Sequence, residues 1–191
     1  LKSGEQLTVN DLLHALLMIG ANDAAVALAE HVAGSEEEFL TVHDTLTAAG
    51  FEHYEVSNYA LPGFRARHNA SYWHGTKYLD IGPAAHSFDG EERHWNASSV
   101  EKYIAGAPAG KEVLTRRDRF NEYVMTALRT VEGIDLEEAA ARFGAKRLAR
   151  MQEEAAPFLR SGTLRIARGR MALPPEKFLI SDAVIGALFE T

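Results

Sequence analysis

The 191-residue sequence has no cysteine. That absence removes disulfides, thiolate nucleophiles, Cys-based zinc sites and Cys-ligated iron–sulfur clusters from the chemistry open to this chain. Long apolar runs are missing as well: none approaches the roughly 18 residues of a membrane-spanning helix. Positive charge is scarce, with 20 Lys and Arg against 27 Asp and Glu and a net charge of −7. That balance argues against a general polyanion binder and leaves room only for a local basic patch. No phosphate-loop motif, no Gly-x-Gly-x-x-Gly fingerprint and no Gly-x-Ser-x-Gly nucleophile elbow occurs. The opening LKSGEQLTV has neither an initiator Met nor a signal-peptide apolar core, so Leu1 is expected to lie inside a longer reading frame. Chemistry must come from His, carboxylates, hydroxyls or a bound cofactor. The apolar fraction of 46% suffices for a real core, in one domain or two small ones.

Helical periodicity dominates what is present. Thr8 with Asp11 reads as a cap before LLHALLMIG, and Asn22 caps a second helix that Gly34 ends. Ser35 and Glu38 open a third, with Phe39, Val42 and Leu46 at helical spacing and Gly50 as its stop. HYEVSNY (53–59) then alternates like one strand, with Tyr54, Val56 and Asn58 on one side. Helix, glycine and strand together read as half of a parallel-sheet repeat. Leu61-Pro62-Gly63 is a turn. Residues 64–96 read as loop, with KYLDIG as a candidate short strand. SSVEKYIAG reads as a short helix and GAPAGKE as a linker.

Beyond that linker, Phe120, Val124, Leu128 and Val131 form one helical stripe, and Asp135 caps a next helix toward Glu138. AKRLARMQEEAAPFLRSG makes a third helix. TLRIARGRMAL is a hairpin in which Leu164 and Ile166 face Met171 and Leu173 across Arg168-Gly169. A closing helix runs near Asp182 to Phe189. The fold class is mixed α/β, with a C-terminal unit of winged-helix-like outline.

The chemistry-bearing stretch is RHNASYWHG (67–75), with His68, Asn69, Tyr72, Trp73 and His74 packed together. Residue types alone leave three readings open: a grip on a flat cofactor, a metal site, or aromatics pinning a loop to a core. A haem iron accepts an imidazole nitrogen while aromatic faces pack on the porphyrin, which His68, Tyr72 and Trp73 satisfy on paper. His68, His74, His86 and His94 fall close together with Asp89 among them, which suggests zinc or nickel, although the spacing matches no established ligand pattern. Lys146, Arg147, Arg150, Arg160, Arg165, Arg168 and Arg170 outnumber nearby Glu153 and Glu154, so a DNA-binding wing competes with a solvated surface.

Two family resemblances divide the chain. Residues 1–36, LKSGEQLTVNDLLHALLMIGANDAAVALAEHVAGS and the residue after it, resemble the D-alanyl-D-alanine carboxypeptidases. That family's Ser-x-Asn loop is here Gly20-Ala21-Asn22. Ser-x-x-Lys occurs only at Ser99–Lys102, on the wrong side of that loop. Residues 37–191 resemble the radical S-adenosylmethionine haem chaperones of HemW type, which are similar to oxygen-independent coproporphyrinogen III oxidases. The resemblance rests on AAGFEHYEVSNYALPG, RHNASYWHG, YLDIGPAAHSFDG, RFNEYVMTALRTVEGIDL and SDAVIGALF, all in order.

The two resemblances together imply three parts: the carboxypeptidase-like helical segment 1–36 from the first, and from the second the end of a partial (β/α) barrel with its linker over 37–112 and a C-terminal domain over 113–191. The second makes His68, Asn69, Tyr72 and Trp73 a haem-binding element, with His68 as axial ligand, Tyr72 and Trp73 as packing surface and His74 in reserve. Its 4Fe-4S cluster and S-adenosylmethionine depend on a Cys-x3-Cys-x2-Cys loop that this chain lacks, so no radical chemistry is expected of it. Haem is then the implied ligand, haem-accepting proteins the implied partners, and the cytoplasm the implied location. Asp80 stands where the family has Gly, which brings that loop's geometry into question. Because carboxypeptidases of this kind work outside the cytoplasmic membrane, the junction at SEEEF reads as a chimera. The competing readings are a chimera that only folds and a carboxypeptidase remnant.

Overall fold

The computed structural model describes Thr8 and residues 36–191. The two helices expected over 8–34, their caps at Thr8–Asp11 and Asn22, and the Ser35–Glu38 pair lie outside the described residues. Backbone contacts divide the chain into two compact units, residues 1–52 and 53–191.

Helix α1 (Glu36–Ala48) closes as its glycine predicts. Gly50 takes a φ of 88°, and the N–H groups of Gly50 and Phe51 donate to the carbonyls of Thr47 and Leu46, each at 3.0 Å. This is the Schellman closure that a left-handed glycine permits.

The single strand read over 53–59 is instead two. Strands β1 (Glu52–Glu55) and β2 (Asn58–Ala60) pair with each other across a turn at Val56-Ser57. A two-residue connection allows only antiparallel pairing, so the expected half of a parallel repeat is a hairpin. Side chains fold the strand back: the Asn58 amide donates to the Glu55 carboxylate three residues earlier. The turn is also tied to the C-terminal helices. Val56 N–H donates to the Arg129 carbonyl at 3.0 Å, and Val131 N–H to the Tyr54 carbonyl at 3.1 Å.

Glu55 is fully buried, and its Oε2 has no hydrogen-bond partner. Burial pushes its pKa up, against the opposing pull of Asn58, the Ser57 backbone and Arg129. The folded state therefore holds this proton more tightly than the unfolded chain does. Stability is expected to fall as pH climbs from the ordinary glutamate range through the raised value, and to level off above it. Glu55→Gln keeps the acceptor for Asn58 and removes the ionisation. Urea midpoints at several pH values should lose that downward slope in the variant. An unchanged slope would remove Glu55 as its source.

The Leu61-Pro62-Gly63 turn is present, with Phe64 N–H on the Leu61 carbonyl at 2.9 Å and Gly63 at a φ of 84°. Beyond it the expected loop contains regular structure. Helix α2 (Arg67–Trp73) is followed by β3 (His86–Phe88), β4 (Glu92–Trp95) and, inside the expected linker, β5 (Gly110–Val113). These strands form an antiparallel sheet in the order β3-β4-β5, with His86 opposite Trp95 and Trp95 opposite Gly110. Asp89 closes the β3–β4 hairpin by accepting the N–H groups of Glu91 and Glu92 at 2.9 and 2.7 Å, and these bonds hold its pKa below the usual carboxylate range. KYLDIG contributes only one isolated bridge, Tyr78 to Phe88. Helix α3 (Val100–Ile104) is capped by Ser99, whose hydroxyl accepts Lys102 N–H at 3.2 Å.

The C-terminal elements are α4 (Arg116–Leu128), β6 (Ile134–Asp135), α5 (Leu136–Phe143), α6 (Ala145–Arg160), β7 (Arg165–Ala167), β8 (Arg170–Ala172), a 3-10 turn at Pro175–Ile180 and α7 (Ser181–Leu188). Thr115 and Asp118 form a reciprocal capping box on α4. Asp135 accepts from both Glu137 and Glu138 N–H at the start of α5. The expected stripe holds for Phe120, Val124 and Leu128, all fully buried, whereas Val131 lies past the helix end and is half-buried. The hairpin turns on Arg168 and Gly169, with φ of 51° and 75°, and pairs Ile166 with Met171 as read. Its sheet runs β6-β8-β7. Ile134, Met151, Leu164, Met171, Leu173, Val184 and Leu188 complete one core around α4.

Candidate functional site

RHNASYWHG folds as helix α2, not as loop. Its start is tied by Ala66 N–H to the Tyr54 hydroxyl at 3.3 Å. Its end is a Schellman closure: Gly75 has a φ of 61°, Gly75 N–H donates to the Tyr72 carbonyl at 3.1 Å, and Thr76 N–H to the Ser71 carbonyl at 3.0 Å. Helical spacing places His68 and Tyr72 one turn apart on the same face. His68 Nε2 lies 3.2 Å from the Tyr72 hydroxyl, and the two rings meet edge to face at 5.1 Å. Tyr72 in turn meets Tyr78 edge to face at 4.9 Å, and Tyr78 lies 6.1 Å from Phe88. Desolvation, with the charge of Asp80 and the neighbouring Tyr78, raises the Tyr72 pKa and keeps the phenol neutral.

The end of this helix forms one wall of a cavity of about 550 Å³. Tyr72, Trp73 and His74 line it beside Tyr78 and Phe88 from the small sheet. Arg119, Glu122, Tyr123 and Thr126 of α4 and Gly133 line it as well. The volume falls within the range of small-molecule and cofactor sites. Tyr123 donates to the Asp135 carbonyl at 3.2 Å, and burial, with help from Glu138, pushes its pKa up to about 12. Among the aromatic walls sit ion pairs: Arg93 with Glu122 at 2.7 Å and Arg142 with Glu138 at 2.7 Å. Arg142 also lies over the Tyr123 ring, 5.0 Å from its centroid.

Of the residues expected to bind a ligand, Tyr72, Trp73 and His74 reach this cavity. His68 and Asn69 lie on the exposed part of α2 and do not line it. Sequence reasoning missed Arg93, Arg119 and Tyr123. The available signal was the flank of the α4 stripe: with Phe120, Val124 and Leu128 inward, residues 119, 122, 123 and 126 fall beside it.

The four-histidine metal reading does not hold. No group of three or more His, Asp or Glu is placed to hold a metal among the described residues. His86 stacks on Trp95 at 5.9 Å, His94 pairs with Glu92 at 3.4 Å, and Asp89 is committed to its turn. Ser99 of the Ser-x-x-Lys match is a helix cap, bonded to Glu101 at 2.5 Å. In the C-terminal basic set, Arg147, Arg150, Arg165 and Arg170 pair with Glu190, Glu154, Glu176 and Asp135. These contacts favour the solvated-surface reading over a DNA-binding wing. Asp80 fits its loop: its N–H bonds the Ser87 hydroxyl at 3.1 Å, and the positive φ values nearby fall at Gly82 and Ala84.

The donor set decides which implied groups this chain can hold. A thiolate-held cluster has no ligand here, because there is no cysteine. A porphyrin fits better. The cavity offers aromatic faces and one imidazole.

A sequence profile of the D-alanyl-D-alanine carboxypeptidase family matches residues 1–60, and a profile of the HemN C-terminal domain matches residues 114–180. The haem chaperone HemW of Mycobacterium tuberculosis is 37% identical over 149 residues, which cover 75% of this chain and 36% of that protein. HemW of Lactococcus lactis is 35% identical over 106 residues, 53% of this chain and 28% of its own length. HemW of Escherichia coli is 50% identical over 44 residues, 23% of this chain and 12% of its own. This chain thus spans about a third or less of the curated relatives it matches. In structure it is similar to the radical SAM coproporphyrinogen III oxidase HemN of Escherichia coli, with a TM-score of 0.62 over 82% of this chain and 41% of that one, at 16% identity. That likeness speaks to the fold alone. The chain therefore joins a segment similar to D-alanyl-D-alanine carboxypeptidases to a longer portion that is similar to the HemW haem chaperones and matches the HemN C-terminal domain.

Proposed function

We propose that this chain binds haem in the cavity beside α2 and does not itself carry out radical chemistry. The observation that supports this reading is the convergence of Tyr72, Trp73 and His74 on one wall of a cavity of cofactor size. A haem held there would take a neutral imidazole of this chain as its iron ligand. His74 is the histidine on that wall. His68 sits a turn earlier on the exposed side with Nε2 against Tyr72, so geometry favours the reserve ligand over the one that the motif puts first. Tyr72 and Trp73 supply the packing faces, and Tyr72 holds His68 in orientation. Asn69, exposed on the same turn as His68, would serve the outer edge.

The same proposal covers the wider organisation. Residues 1–36 are a carboxypeptidase-like appendage, 37–112 the end of a partial barrel, and 113–191 a separate C-terminal domain. For the last, the order helix, strand, two helices and hairpin, with the sheet order β6-β8-β7, supports a winged-helix-like reading. A haem-accepting protein in the cytoplasm is the partner this reading calls for. No helix among the described residues is long and apolar enough to cross a membrane.

A haem titration followed at the Soret band tests the proposal. Saturable binding is expected, weakened about tenfold or more in His74→Ala and unchanged in His94→Ala. Equal loss in His68→Ala alone would move the haem to the outer face of α2. Unsaturable uptake insensitive to every substitution would overturn the reading.

A further inference from the structure

We infer that Arg119 forms a carboxylate subsite in the α2–α4 cavity, so that the ligand is a flat apolar body carrying an ionised carboxylate at its edge. This deepens the porphyrin reading and rests on it. The wall charges are nearly all spoken for. Glu122 is paired with Arg93, Glu138 with Arg142, and Glu132 with Arg65, while Arg170 is paired with Asp135. Arg119 is the wall cation that has no acidic partner among the described residues. It is half-buried on α4, so it stands partly out of water at the edge of a cavity.

A guanidinium in that position presents a planar fork that matches a carboxylate. Glu122, at the i+3 position where it could serve Arg119, is instead turned to Arg93 by a 2.7 Å bond. That pairing leaves the Arg119 fork available. Rings from Tyr72, Trp73, Tyr78, Phe88 and Tyr123 share the walls with those paired charges. Rings alone would accept any flat apolar molecule. One cation among them without an acidic partner selects a flat molecule with an acidic edge.

Metal-free protoporphyrin IX separates this subsite from axial ligation, because it needs no histidine. Its binding to the full chain is followed by porphyrin fluorescence, beside that of its uncharged dimethyl ester. Arg119→Gln is expected to weaken the free acid about tenfold and leave the ester unchanged, with Arg119→Lys, which keeps the charge, recovering part of the loss. Equal affinity of wild type and Arg119→Gln for the free acid overturns the subsite. If haem binding still depends on His74 in that case, the porphyrin reading stands without it. Arg119-dependent binding of the free acid without a histidine-dependent Soret change would leave the subsite standing and remove the axial ligand. Failure of both haem and the free acid to bind saturably would overturn both.

Discussion

Gly133→Ala is expected to destabilise the unit formed by residues 53–191 by about 2–5 kcal/mol. Two costs combine at this position. Gly133 has a φ of 64°, where an L side chain costs about 1–2 kcal/mol. A Cβ there would also lie 2.3 Å from the Met171 carbonyl oxygen, 2.5 Å from Ala172 Cβ and 2.7 Å from Ala172 Cα. The first and last of these are backbone atoms and cannot rotate aside. Relief requires moving β8 away from β6, and β8 carries the fully buried Met171 opposite Ile134. Such overpacking typically costs about 1–3 kcal/mol. A urea melt should show a lower midpoint at an unchanged m-value. Because Gly133 also lines the cavity, the variant should bind porphyrin less well wherever it remains folded. A midpoint within error of wild type would show that β6 and β8 are not packed as described.

Gly133 also marks the limit of what a sequence can reveal. Its neighbours were legible: the Phe120, Val124, Leu128 stripe, the Asp135 cap and the Arg168-Gly169 hairpin all rest on local rules that the structure obeys. The contact that makes Gly133 irreplaceable comes from residues 171 and 172, and no local pattern carries it. The misses between 53 and 113 have two different causes. Asp89-Gly90 is a strong hairpin signal that loop-like composition obscured, and it turns β3 into β4. By contrast β5 has no legible signal. Its residues are mostly exposed, and it is held by pairing with β4, where the indole of Trp95 lies over Gly110 so closely that a Cβ would come within 2.3 Å.

Helix α2 was hidden for a related reason. It has no side-chain cap at its start and no buried residue, so neither capping nor periodicity announced it. Tertiary contacts through Tyr54 and Tyr78 and the closure at Gly75 hold it. The motif residues of the site were therefore legible as types, while their division between cavity wall and exposed face was not. That division depends on the helical turn that sets His68 apart from His74. The far wall, on α4, depends on a tertiary approach between segments some 45 residues apart.

Phe120→Ala is expected to cost about 3–5 kcal/mol, the range for emptying a fully buried phenylalanine site. Phe120 has no exposed surface and meets Phe143 edge to face at 5.4 Å, so its loss empties the contact between α4 and α5. Phe120→Leu, which keeps most of the apolar volume, should cost less than about 1.5 kcal/mol. A Phe120→Ala penalty as small as that of the leucine variant would mean that the α4–α5 core is not close-packed. The substitution also probes the site, because α4 builds two things at once. Its inward stripe makes the core, and its flank carries Arg119, Glu122, Tyr123 and Thr126 to the cavity. Tyr123 itself lies 5.3 Å from Phe143, so the residue that supports Phe120 also supports the cavity wall. Phe120→Ala should therefore lower stability and porphyrin affinity together, whereas Arg119→Gln should lower affinity for the free acid at unchanged stability. If both variants lowered stability alike, Arg119 would be a strut of the fold and not a contact for ligand.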